Sequence, residues 1–312
     1  MAHAHAHGGP GRLAATLDAR RADSRRRMWV ALAINAGMLV AAVVGGVLTG
    51  SLALLADAGH VLSDVGAIAL GLLAAGLASR PAGPRRTFGY QRSEVIAALA
   101  NGVALVVIAV LVTVAAIDRL GEPPDVEGGG VLALGVVGVI GNVAATLVLA
   151  RGQRDDINLE GVLRHSAADA LGSIGVIVSG GVILATGWAP IDPLAGLAIA
   201  ALILVSSVRL IAEPIDVLME AAPAGMDVER VGRDMVEIEQ VGAVHELHVW
   251  TVTAGFEALA AHVVVEGGAD RDLVRRRLEV LLRERHGIEH TTLQMEEEAP
   301  SELLEVEDTP EP

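Results

Sequence analysis

The chain has 312 residues, 52% of them hydrophobic, a mean hydropathy of +0.52 and no cysteine. Apolar content on that scale, gathered in long runs, excludes an ordinary soluble domain, and the missing thiols exclude disulfides and thiolate metal sites. Of the formal charge of −15, residues 1–212 carry +1 and residues 213–312, with 8 Arg against 24 Asp and Glu, carry −16; such an acidic segment disfavours nucleic acid as a partner and suits cations.

Residues 1–27 are polar and Arg-rich, without the apolar core of a cleavable signal peptide, and read as a cytoplasmic tail. His3, His5 and His7 alternate with Ala there and read as a solvated stretch with auxiliary cation capture at most. Six apolar segments follow: Trp29–Thr49, Leu52–Leu77, Val95–Ile117, Gly129–Ala150, Val162–Thr186 and Pro193–Leu210. Most approach the roughly 20 residues a helix needs to cross a bilayer, so residues 28–212 are expected to form a six-helix transmembrane domain. Arg20, Arg21 and Arg25 to Arg27 precede the first segment; Arg80, Arg85, Arg86 and Arg92 follow the second; Arg151, Arg154 and Arg164 follow the fourth. The alternate connections hold only Arg119. The positive-inside rule then places both termini in the cytoplasm.

Beyond Pro214 the pattern changes to that of a small α+β domain spanning 213–297. Val228–Ile238 reads as an amphipathic helix, Val244–Thr253 and Phe256–Val265 as strands about a turn at Gly255, and Asp270–Arg285 as a second helix. Leu273, Val274, Leu278, Leu281 and Leu282 share a face of that helix, and Thr291–Met295 suits a last strand. The order αββαβ fits a layer of helices on a sheet. Residues 298–312 are acidic, carry Pro, and read as a disordered tail.

Ionisable side chains inside spans are costly and mark function by default. The second segment contains His60 and Asp64, and the fifth contains His165 and Asp169. Each pair is four residues apart, so on a helix both members lie on one face, one turn apart. Two such faces offer two imidazoles and two carboxylates, a tetrahedral donor set for zinc. The competing reading is a local polar pair gluing helices together, and two identical pairs in separate spans weigh against it. Asp57, three residues before His60, is read first as a solvated residue near the membrane surface and second as an acceptor for His60. Asn35, Asn101 and Asn142 suit interhelical hydrogen bonds. In the acidic domain, His245 and His262 lie on consecutive strands with Glu296 closing the last. His248, an odd number of residues from His245, is expected on the opposite face of an undistorted strand. Surface histidines without a metal role are the alternative for this group, which also includes His286 and His290.

Ser51 to Asp64, the loop Arg86-Thr-Phe-Gly-Tyr-Gln-Arg-Ser-Glu94, His165-x-x-x-Asp169 and Val244-His-Glu-Leu-His-Val-Trp250 together resemble the cation diffusion facilitator family, on its zinc-exporting bacterial side. The resemblance runs from about Arg25 to Glu297. It implies a multi-pass homodimer in the cell (inner) membrane, with a ferredoxin-like cytoplasmic domain. It also implies export of Zn2+, with Cd2+ or Co2+ as further cargo, in exchange for protons. It puts the transport site on His60, Asp64, His165 and Asp169, and a second metal site, regulatory in character, on His245, His262 and Glu296. No prosthetic group and no enzymatic activity are implied; zinc is cargo and regulatory ligand. A His at position 60 corresponds to the zinc-preferring form. The loop between spans two and three departs from members that bind metal there, having Arg86 and Tyr90 at the corresponding positions and no His. The family's charge interlock maps loosely onto Arg92 and Glu220.

Rival classes remain. A membrane zinc hydrolase requires His-Glu-x-x-His on a helix, whereas His245-Glu-Leu-His248 is one residue short and reads as a strand. A metal sensor without transport, and an importer, share the same ligands.

Overall fold

A computed structural model describes the backbone of residues 10–150 and 156–297, and the side chains of residues 29, 30, 32–148 and 169–297. His3, His5, His7 and the acidic stretch from 298 onward lie outside the described residues. The elements in order are α1 (Pro10–Thr49), α2 (Leu52–Ala78), α3 (Ser93–Gly121), α4 (Gly128–Ala150), α5 (Asp156–Thr186) and α6 (Ile191–Leu218). Then come α7 (Val228–Val236), β1 (Val241–Thr253), β2 (Phe256–Val265), α8 (Arg271–His286) and β3 (His290–Glu297). Six of these helices are long and apolar enough to cross a membrane.

Several boundaries differ from the sequence reading, most of all at the start of α1 and the end of α6. Helix α1 starts at Pro10, well before the apolar run. Leu13, Ala14, Ala15, Leu17 and the arginines that follow are strong helix formers, and Pro is accommodated in a first turn. Helix α6 continues through Pro214 to Leu218, past the expected end of the sixth span. The proline removes one backbone hydrogen bond without ending the helix.

The described residues fall into two compact units: those up to 73 with 97–211, and 74–96 with those from 212 onward. In the first unit, Leu52, Leu54, Leu105, Val131, Val176, Ile199 and Ile203 form the core. Its outward faces are apolar too, with Leu48, Leu111 and Val205 exposed. A surface so apolar suits lipid, where the helices satisfy their own backbone. Helix α4 packs along α5. The close approach rests on Gly180, where a Cβ would stand 2.5 Å from the Leu132 amide nitrogen.

In the second unit a three-stranded sheet has the order β1-β2-β3, with β1/β2 antiparallel and β2/β3 parallel. Val231, Met235, Leu259, Val263, Val274, Leu278 and Leu282 join α7 and α8 to one sheet face. Asp227 caps α7 by accepting from the Arg230 amide, and Asp270 caps α8 by accepting from the Leu273 amide; caps of this kind stabilise a helix by about 1 kcal/mol. Gly287 ends α8 at φ 70°, where a side chain is disfavoured. Leu273, expected on the apolar face of α8, is exposed. It lies in the first turn, beyond the stripe formed by Val274, Leu278, Leu281 and Leu282.

Candidate metal centres

The α2 and α5 helices bring His60 and Asp169 together across the first unit. The His60 Nε2 lies 3.0 Å from the Asp169 Oδ1, and both side chains are only 15% exposed. His60, Asp64 and Asp169 each offer a donor atom, all within 4.8 Å of one another. His165 belongs to α5, one turn before Asp169, but its side chain lies outside the described residues. The i,i+4 spacing explains why Asp64 stands beneath His60, while only the packing of α2 against α5 adds Asp169. One nitrogen and two carboxylates in apolar helices are a donor set suited to a divalent cation of borderline softness.

Asp57 corrects the expectation of a solvated residue: it is 5% exposed. Its carboxylate is hydrogen-bonded by the Ser173 hydroxyl, and it lies so close to α5 that a Cβ on Gly172 would be 2.8 Å from Oδ1. Two glycines, Gly138 on α4 and Gly172 on α5, make room for it. Asn142 donates to the Ser173 hydroxyl at 3.3 Å, and Ser63 donates to Asn101 at 3.2 Å, so both asparagines join neighbouring helices.

In the second unit, His245 and His262 face each other across β1 and β2, their ring centroids 5.1 Å apart. Glu296 reaches both: Oε2 is 3.1 Å from His245 Nε2, and Oε1 is 2.7 Å from His262 Nδ1. These three residues place one donor atom each within 4.8 Å. Hydrogen bonds from Gln294 first, then from His245 and His262, hold the Glu296 carboxyl below its usual range, outweighing the partial desolvation that pushes it up. Gln294 donates at 2.8 Å and was not singled out from the sequence; its signal is the period-two spacing from Glu296 on β3.

His248 also departs from expectation. The register passes from His245↔His262 to His248↔Ala260, so β1 carries a bulge in which Glu246 and Leu247 oppose Ala261 alone. The extra residue restores His248 to the face of His245, one pair further along, outside the three-residue group. Glu246 takes φ 48° in this bulge, a conformation costing a non-glycine residue about 1–2 kcal/mol.

The remaining histidines have other surroundings. His286 Nε2 lies 3.0 Å from Asp234 Oδ2, joining α8 to α7. His290 stands edge-on to Phe88 and to Phe256, which also contact each other. These are the chain's two phenylalanines, and they join the loop after α2 to β2 and β3. The same loop contributes Arg92, 3.1 Å from Glu220, and Glu94, which accepts from Thr253 at 3.1 Å. Arg86 stacks on Tyr90 at 4.2 Å from the ring centroid.

Residues 28–219 match the family model of the cation efflux transmembrane domain, and residues 223–298 that of the cation efflux protein cytoplasmic domain. The chain is 38% identical over 298 residues to "Zinc transporter ZitB" of Shigella flexneri, covering 95% of this chain and 93% of that protein. It is 35% identical over 281 residues to the "Cadmium, cobalt and zinc/H(+)-K(+) antiporter" of Bacillus subtilis, covering 88% and 90%. It is also 35% identical over 297 residues to "Metal cation efflux system protein CzcD" of Cupriavidus metallidurans, covering 95% and 90%.

Proposed function

The chain belongs to the cation efflux, or cation diffusion facilitator, family, and from that premise we propose that it exports Zn2+ in exchange for protons through a site of His60, Asp64, His165 and Asp169. The observation that carries this reading is the meeting of His60 and Asp169 at 3.0 Å, with Asp64 beside them, in helices of membrane-spanning length. The two carboxylates offset the charge of the ion where water is scarce, and the imidazoles supply its preferred nitrogen donors. An imidazole binds a metal only after losing its proton, so metal and protons compete for one site. Access alternating between the two sides then couples their flows. Both termini face the cytoplasm in this reading, and the protein works as a homodimer in the cell membrane. Cd2+ and Co2+ are further cargo in this reading, the metals that the name of the Bacillus subtilis relative joins with zinc.

His245, His262 and Glu296 form a second site, in the cytoplasmic domain. Two nitrogens and a carboxylate within 4.8 Å fit a zinc-type cation by donor chemistry. A cation held there ties β1 to β2 and β3, and binding at this site tunes transport through a coupling free energy.

The test is zinc uptake into proteoliposomes loaded with a zinc dye, under an imposed pH gradient, for the wild type and Asp64→Ala. Uptake that follows the gradient and is lost in the variant supports the reading. Normal uptake by the variant overturns the site. Uptake indifferent to pH but dependent on a potassium gradient overturns the proton as sole counter-ion. Zinc binding without flux turns the protein into a sensor.

A further inference from the structure

The bulge in β1 places a glutamate where most bulges of this shape place a glycine. On a regular strand the Glu246 side chain would turn toward the core face, opposite Ala261, which is buried. With the bulge, Leu247 packs against the core instead. The Glu246 carboxylate comes out on the histidine face, with Oε2 3.5 Å from His262 Nε2. The other nitrogen of that ring, Nδ1, is 2.7 Å from Glu296 Oε1. His262 is thus held between two carboxylates, one at each nitrogen. The strained residue is the one that makes this contact, at φ 48°.

We propose that Glu246 is a positioning residue of the cytoplasmic site, which fixes the ring of His262 so that Nδ1 faces a divalent cation of zinc type. A neutral imidazole carries one N–H. Without metal, Glu296 accepts the N–H of the ring from Nδ1. When a cation binds Nδ1, the one N–H of the neutral ring is on Nε2, where the Glu246 carboxylate 3.5 Å away favours it, and Nδ1 turns its lone pair to the space shared with His245 and Glu296. Carboxylates behind ligating histidines set the ring plane and raise ligand basicity, and losing one typically weakens metal binding about 10- to 100-fold. This inference rests on reading His245, His262 and Glu296 as a cation site.

The experiment uses the full chain in detergent with Asp64→Ala in every sample, so that zinc titrated against a chromophoric chelator reports the cytoplasmic site. Glu246→Gly suits the backbone conformation and removes only the carboxylate. Its zinc affinity is expected to fall about tenfold or more, while the melting temperature without metal holds or rises. Glu246→Gln, which keeps an acceptor oxygen, is expected to fall less. Glu266→Gln removes an equal charge from an exposed position just after β2 and is expected to stay within about twofold, since exposed charges at a distance are screened. Wild-type affinity in Glu246→Gly overturns the role of Glu246 if His262→Ala still weakens binding. If His262→Ala also leaves affinity unchanged, the cytoplasmic-site reading itself falls, and the inference with it. An equal loss in Glu266→Gln and Glu246→Gly reduces the effect to general electrostatics and overturns the positioning role.

Discussion

Asp192, in the first turn of α6, accepts the Ser51 hydroxyl at 2.5 Å, and its second oxygen accepts the Leu52 amide at 2.6 Å. A carboxylate from one span therefore caps the start of another, and both residues are fully buried in their side chains or nearly so. The amides at the start of α2 have no partners within their own helix, and in an apolar surround they need one. The Ala53 amide and the Ser179 hydroxyl add longer contacts, each at 3.4 Å, and the second brings α5 to the same point.

Asp192→Ala is expected to leave the Leu52 amide and the Ser51 hydroxyl buried without this acceptor, at a cost of about 1–3 kcal/mol. The melting temperature in detergent, followed by tryptophan fluorescence, should drop clearly. Asp192→Asn, which keeps one acceptor oxygen, should drop less. Equal melting of all three proteins would remove the cap from the account.

The approach of α4 to α5 is tight at Gly180. Gly180→Leu drives a side chain into the Leu132 and Gly128 backbone, 2.5 Å and 2.9 Å from the first carbon. Overpacking of this kind costs about 1–3 kcal/mol or more. Loss of folded yield and of zinc uptake together is expected, whereas Gly71→Ala, with open space around it, should behave as wild type.

His60 sets the softness of the proposed transport site. His60→Asp exchanges a nitrogen donor for oxygen and favours harder cations. Competitive uptake of zinc and manganese is expected to shift toward manganese by about tenfold, a preference of roughly 1.4 kcal/mol. An unchanged ratio would mean that His60 does not contact the ion.

Phe88, Phe256 and His290 hold the loop after α2 against β2 and β3. Edge-to-face pairs contribute about 0.5–1.5 kcal/mol beyond burial. Phe88→Ala should therefore speed hydrogen exchange in residues 79–92 by about 2- to 13-fold. The Arg92–Glu220 pair is solvent-exposed and contributes at most about 1 kcal/mol, so Arg92→Ala should change that exchange less.

Much of this was legible in the sequence because it is periodic or local. Hydropathy runs marked six spans, since a bilayer demands about 20 apolar residues at a time. Alternation and turn residues marked β2 to the residue, Phe256–Val265. The i,i+4 spacing put His60 and Asp64 on one face before any fold was known. Asp57 was misread because a carboxylate near other polar residues looks solvated in one dimension. Its burial depends on Gly138 and Gly172, which belong to two other helices.

The sequence by itself determined the spans, the α+β domain and the residue types available for a metal, because length, period and composition act within single segments. Tertiary structure alone decided that Asp169 meets His60, that Asp192 caps α2, and that the bulge turns Glu246 toward His262. Each of these joins segments through space, and which faces meet is fixed by packing and by the need to satisfy buried polar groups, neither of which any one segment records.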